Sequence, residues 1–187
     1  APGDVESDIP SMARRYVKLL QDTQEAGPYF LCGYSYGGLV AWEMAKQLRS
    51  AGSEVGGLFL IDAPSPLENK VRPPIGSQDE PHLLWESDIN QLLTDVDSRW
   101  MERQENEDSV KTQEFKRQIG ILIASMYSYT DDITTPEAIQ PFPIHYWRAR
   151  DYNEKTSKLL LDHPSFGEAN FGWDRYQGNI TFHRPVT

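Results

Sequence analysis

The sequence predicts an α/β domain built on a mostly parallel sheet, with a largely helical segment inserted into it. Three observations carry that expectation. Residues 11–61 run helix, short apolar strand, tight turn, helix, apolar strand, the order of a parallel sheet covered by helices on both faces. Residues 67–141 lose that alternation and carry two helical patterns on either side of an acidic connection. Strand-like sequence returns at Ile144. At 187 residues the chain suffices for one domain with a sizeable core.

Taken in order, Ser11 is an N-cap candidate, and Met12, Tyr16, Leu19 and Leu20 recur at helical spacing up to Gln24. Gly27-Pro28 breaks that helix. Tyr29–Cys32 reads as a short, fully buried strand. After the turn Gly33-Tyr34-Ser35-Tyr36-Gly37-Gly38, Leu39–Leu48 is rich in helix formers and stops near Gly52. Val55–Ile61 is a second apolar strand, ending at Asp62-Ala63-Pro64. Pro64, Pro66, Pro73, Pro74 and Gly76 then make an irregular stretch.

Helical patterns follow at His82–Leu93 and at Ser109–Tyr129, the latter with Phe115, Ile119, Leu122 and Met126 on one face. Between them Asp95–Asp108 holds six acidic and two basic residues, a solvated connection. Pro141-Phe142-Pro143 closes the insertion. Ile144–Ala149 reads as a strand, Thr156–Asp162 as a short helix and Asn179–His183 as a last strand. The expected organisation is therefore a core of residues 1–66 and 142–187 around an inserted segment, 67–141.

Composition removes several function classes. Hydrophobic residues are 39% and charged residues 25% of the chain, and five Trp and nine Tyr argue against disorder. Cys32 is the only cysteine, so an intrachain disulfide is impossible and a cysteine metal cluster is not expected. That fits a reducing, cytoplasmic setting. No run approaches the roughly 18 apolar residues of a membrane span, and the N-terminus shows no signal-peptide pattern. The net charge of −10 disfavours nucleic acid and anionic membranes as partners. Residues 143–187 carry six basic and five acidic side chains, against 12 and 23 before them, so an acidic partner meets least repulsion there.

Gly33-Tyr34-Ser35-Tyr36-Gly37 matches G-x-S-x-G, with a strand before it and a helix after it. In that context the serine sits on a strained turn, and side chains at the flanking glycines would clash with the strand and helix. The helix beyond presents free N–H groups and a positive dipole end to a developing oxyanion. The backbone N–H of Tyr36 is the expected first oxyanion donor. The plainer reading is a Ser filling a small turn. Asp62 follows the second strand and emerges at its C-terminal end, where the acid partner of such a serine would lie. It could equally cap the Pro64 turn.

Residues 27–64 resemble the thioesterase domains that terminate non-ribosomal peptide and polyketide synthases, of the α/β-hydrolase superfamily. The likeness rests on Gly27-Pro28-Tyr29, Gly33-Tyr34-Ser35-Tyr36-Gly37-Gly38, Ala41, Glu43-Met44-Ala45, Leu48 and Ile61-Asp62-Ala63-Pro64. It is dense over residues 1–66, with Ala1-Pro2-Gly3 similar to the turn before the first helix. It is thin through the insertion and returns at Tyr146–Ala149 and Gly172-Trp173. The resemblance implies an α/β-hydrolase-type fold whose helical insertion, residues 67–141, is a lid over the acyl pocket. Trp85, Trp100, Phe115, Met126, Tyr127 and Tyr129 are candidates to line that pocket, though such residues at helical spacing are more often core. It also implies Ser35 as nucleophile and Asp62 as acid.

Acyl transfer from a phosphopantetheine thioester to Ser35 follows from that family, with release by hydrolysis, cyclisation or condensation. The implied partner is an acyl or peptidyl carrier protein, on the same polypeptide. No metal or redox cofactor is called for. A serine nucleophile needs an imidazole to take its proton, and the histidines are His82, His145, His163 and His183. His82 falls in the insertion, His145 inside a strand and His163 at a helix end. His183 lies on the last strand, whereas the family's histidine stands in a loop beyond it, past Thr187. The first strands of the family and the loop giving its second oxyanion N–H would precede Ala1. The sequence is thus expected to be truncated at both ends, with His183 as the best substitute base. A free-standing editing thioesterase, a generic esterase and a catalytically incomplete carrier-docking module are the alternatives.

Overall fold

Asp8, not Ser11, starts the first helix. Its carboxylate accepts the Ser11 backbone N–H (2.7 Å) and the Ser11 hydroxyl (3.1 Å), a cap that stabilises by about 1 kcal/mol. The computed structural model describes residues 6–66, 109–148 and 167–183. The patterns at His82–Leu93, Asp95–Asp108 and Thr156–Asp162, together with Trp85, Trp100, His82 and His163, lie outside the described residues. Helix α1 spans Ile9–Thr23, and its buried residues are Ile9, Met12, Ala13 and Val17. Tyr16 and Leu19 are exposed instead. The buried stripe runs through Ile9, Ala13 and Val17, beside the one expected through Tyr16 and Leu19.

Strand β1 (Tyr29–Tyr34) leads through Ser35 into α2 (Tyr36–Ser50), and β2 spans Val55–Ile61. Helix α3 is Ser109–Ser128, β3 is Ile144–Trp147 and β4 is Ile180–His183. The strands form one sheet in the order β1-β2-β3-β4, every neighbouring pair parallel. Tyr34 faces Ile61, Ile61 faces Trp147 and Trp147 faces His183, so one edge collects all four C-terminal ends.

Strands placed side by side in chain order, joined by crossovers of one hand, receive their connections on one face. The contacts agree. Helix α2 packs on β1 and β2, and α1 and α3 pack on α2. From the β3–β4 crossover, Trp173 lies edge-on to Trp42 of α2, 5.3 Å between ring centres. That face holds the core, with Tyr29, Leu31, Leu58, Leu60, Ile144 and Tyr146 under the helices.

The opposite face carries Phe30 and Tyr34, 66% and 68% exposed. Beside them Phe59 stacks on His145 (5.2 Å) and Trp147 on His183 (4.2 Å). Two expectations are corrected here. The sheet is covered on one face among the described residues, not both, and β1 alternates buried with exposed side chains instead of being buried throughout. Among the described residues no helix is long and apolar enough to cross a membrane.

Candidate active site

Between β1 and α2 only Ser35 is left to make the turn. Its φ of 49° and ψ of −125° are strained for a residue with a Cβ, costing about 1–3 kcal/mol that the surroundings must hold in place. Backbone bonds do so. The Ser35 N–H donates to the Ile61 carbonyl and the Gly38 N–H to the Ser35 carbonyl, each at 2.9 Å. A Cβ on Gly33 would run into the backbone of Gly37 and Gly38, and one on Gly38 would strike the Ala63 methyl. Gly37 is different, since a Cβ there meets open space. The glycines required sterically are thus Gly33 and Gly38, and the second glycine of the motif is not among them.

Tyr36 opens α2, so its N–H has no acceptor within the helix and sits at the positive end of the helix dipole, beside Ser35. Its side chain turns away from the sheet. The phenol lies 2.8 Å from the Ser125 hydroxyl on α3 and 3.8 Å from the Met12 sulfur on α1. Burial pushes the phenol pKa up, and the Ser125 bond pulls the other way.

Asp62 stands one residue beyond β2, as Ser35 stands one residue beyond β1, and the last paired residues, Tyr34 and Ile61, are direct neighbours. The two side chains therefore arise from adjacent positions on one sheet edge. Asp62 also has a positive φ, 50°, and its N–H donates to the Trp147 carbonyl at 2.8 Å.

The loop after Asp62 is tied to a distant segment. The Trp173 indole N–H donates to the Ala63 carbonyl (3.0 Å), the Ser65 N–H to the Phe171 carbonyl (2.8 Å) and the Arg175 guanidinium to the Ser65 hydroxyl (3.0 Å). Sequence reasoning missed these supports. The only signal was the Gly172-Trp173 pair, and its partners lie 110 residues away.

His145 and His183 bond each other, Nδ1 to Nε2 at 3.0 Å, on the exposed sheet face. Neither hydrogen-bonds Ser35. Among the described residues no group of three or more His, Cys, Asp and Glu could hold a metal ion. Met126, Tyr127 and Tyr129 are core residues, and Phe115 is exposed. A cleft of about 610 Å³ lies by Lys46, Arg49, Asp131 and Gln140. At 1.5 Å per residue it is about 15 Å along α2 from Tyr36 and does not adjoin Ser35.

A family model described as the thioesterase domain matches residues 2–183. The chain is 50% identical over 64 residues to indigoidine synthase of Streptomyces lavendulae, 34% of this chain and 5% of that protein. It is 41% identical over 70 residues to the non-reducing polyketide synthase CTB1 of Cercospora beticola, 37% of this chain and 3% of that protein. It therefore spans only a few per cent of the length of these relatives.

Among solved structures it resembles the RedJ thioesterase of the prodiginine pathway in Streptomyces coelicolor, with a TM-score of 0.62 and 15% identity over 95% of this chain and 59% of that one. It also resembles the thioesterase domain that cyclises surfactin, with a TM-score of 0.58 and 20% identity over 97% and 66%. At those identities the likeness is one of fold, the α/β-hydrolase type. The family match takes in both the Ser35 turn and the edge that ends at His183, and on it the chain belongs to the thioesterase domain family.

Proposed function

We propose that this chain releases an acyl group from a phosphopantetheine carrier through an acyl-Ser35 intermediate. The observation that carries the reading is Ser35 on a strained strand-to-helix turn, with Asp62 at the adjacent strand end. In the first step Ser35 Oγ attacks the thioester carbonyl, its proton passes to a base, and the phosphopantetheine thiol leaves with a proton. The oxyanion formed on the way is met by the Tyr36 N–H, a term worth about 2.7–4 kcal/mol for a single donor. In the second step water gives a free acid, or an internal hydroxyl or amine gives a ring.

Asp62 is the residue to orient the imidazole that serves as base. On this reading the substrate arrives on an acyl or peptidyl carrier protein of the same polypeptide, in the cytoplasm. Residues 67–141 act as the lid over the acyl pocket, and residues 1–66 and 142–187 as the core beneath it. The protein supplies no cofactor of its own.

A second reading, a carrier-docking module that does not turn over, is favoured by the His145–His183 bond, which engages both rings away from Ser35. One experiment separates the two. The full-length protein should react with a fluorophosphonate and hydrolyse an acyl-pantetheine thioester. Ser35→Ala should abolish both, with a rate loss on the order of 10⁶ and an unchanged circular-dichroism spectrum. Turnover that survives the substitution ends the first reading, and a parent protein inert to both reagents selects the second.

A further inference from the structure

We infer that Ser125 on α3 is a positioning residue for the oxyanion donor, acting through the side chain of Tyr36; this rests on the acyl-transfer reading above. The proton bookkeeping is determined by the contacts. Ser125 has one hydroxyl proton and gives it to the Leu122 carbonyl, three residues back, at 2.8 Å. Ser125 Oγ is therefore the acceptor in its 2.8 Å contact with Tyr36, and the phenol is the donor. Ser125 is 2% exposed, so no water competes freely for that bond.

The bond joins two parts of the molecule that the chain separates by 89 residues. One is the first residue of α2, whose backbone N–H is the donor beside Ser35. The other is the helix that belongs to the proposed lid. A tyrosine has only two side-chain torsions, so holding its hydroxyl restricts where the ring can lie and, through it, how far the Tyr36 backbone can move. That restriction steadies the Ser35–Tyr36 peptide, which carries the donor N–H. The Met12 sulfur at 3.8 Å is a weak alternative partner and does not reach α3. A shift of α3 is thus conveyed to the oxyanion donor by one side chain. Misplacement of about 1 Å at such a donor can cost 10²-fold.

Three variants of the full-length protein test this: Tyr36→Phe, Ser125→Ala and Ser125→Thr. The first two should each lower kcat about tenfold while KM stays within about twofold, the pattern of a group that matters only in the transition state. The double variant should lose no more than either single one, because both remove the same bond. Ser125→Thr restores the acceptor and should recover most of the rate.

A second measurement is independent of turnover. In ¹H–¹⁵N spectra the Tyr36 amide should shift in Ser125→Ala, more than amides of β2, and return towards its parental position in Ser125→Thr. Unchanged kcat with an unmoved Tyr36 amide in folded variants would overturn the inference, and so would losses that add in the double variant. A parent without thioesterase turnover would refute the proposed function, while the amide shift still decides the coupling. If Ser125→Ala does not fold, Tyr36→Phe alone reads the same bond.

Discussion

The first turn of α2 and the turns after it are held by different kinds of force. At Ser35–Gly38 the contacts are backbone to backbone, and a single side-chain pair, Tyr36 and Ser125, crosses to α3. Further on, side chains do the holding. Trp42 is fully buried, edge-on to Trp173 and Tyr176 at 5.3 and 5.7 Å, and its indole N–H donates to Asp131 at 2.7 Å. Glu43 is buried and accepts from the Tyr129 hydroxyl (2.7 Å) and from Gln47 (2.9 Å). Lys46 bridges Glu43 (3.0 Å) and Asp131 (2.7 Å). Strain of a few kcal/mol at a nucleophile turn persists only where neighbouring structure over-determines it. Here the backbone bonds of Ser35 and Gly38 hold the turn itself, and the side-chain anchor two turns further on fixes the helix into which it leads.

If that division is right, substitutions near the sheet edge change rate without stability, and substitutions from Trp42 onward do the reverse. Asp62→Asn should show the largest effect. In a serine triad, loss of the acid's charge lowers kcat on the order of 10⁴ by leaving the imidazole in the wrong tautomer. The melting temperature should stay near that of the parent. Thioesterase kinetics alongside calorimetry checks both halves, and near-parental kcat would remove Asp62 from the site.

Trp42→Ala should come next, costing about 3–5 kcal/mol from lost burial and the cavity left behind. Urea denaturation reads that loss, and fluorophosphonate titration of the folded fraction should find kcat per active site little changed. A collapse of kcat in folded Trp42→Ala would show that the two ends of α2 are not separable.

Tyr129→Phe should have the smallest effect, about 1–3 kcal/mol, because it leaves the buried Glu43 carboxylate short of a donor. It also has a pH signature. Burial first, and then the charge and hydrogen bond of Glu43, raise the Tyr129 pKa above the ordinary phenol value. The folded protein therefore keeps a proton that the unfolded chain releases, and stability falls as pH rises through about 10 and beyond. Lys46 acts in the same direction. Burial pulls its pKa down, but the hydrogen bond and charge of Asp131, with Glu43 behind them, outweigh that. Urea midpoints measured between neutral and alkaline pH should fall in the parent and fall less steeply in Tyr129→Phe.

What could be read from the sequence divides along a similar line. The β1–α2–β2 unit and the Ser35 turn were legible because strand, glycine-rich turn and helix are consecutive, so local pattern and final structure coincide. Asp62 could be put on the same sheet edge as Ser35 for the same reason, by following directly on β2. The anchor around Trp42 was not legible, since Asp131, Tyr129 and Trp173 lie 86 to more than 100 residues further along the chain. The start of α1 was misplaced because Ser11 offers a hydroxyl cap, while the carboxylate of Asp8 three residues earlier is the group that caps. That the described helices all lie on one face of the sheet could not be read from residues 11–61 at all. Which face the helices cover depends on strand order and crossover hand, and neither is a property of any one segment.

The crowding at Gly33 and Gly38 has a hereditary side. Every amino-acid-changing mutation of a glycine codon adds at least a β-carbon, and at these two positions that atom has no room. Nucleotide substitutions there, other than at the silent third base, are expected to be selected against. Gly37, two residues past the nucleophile, is under no such steric constraint, so its codon is free to drift as far as the chemistry beside it allows. Lineages descending from this protein would then keep the Gly33 and Gly38 codons as fixed marks while the spelling between them wanders. A search pattern that weighs Gly38 above Gly37 would follow those lineages further than the five-residue motif does.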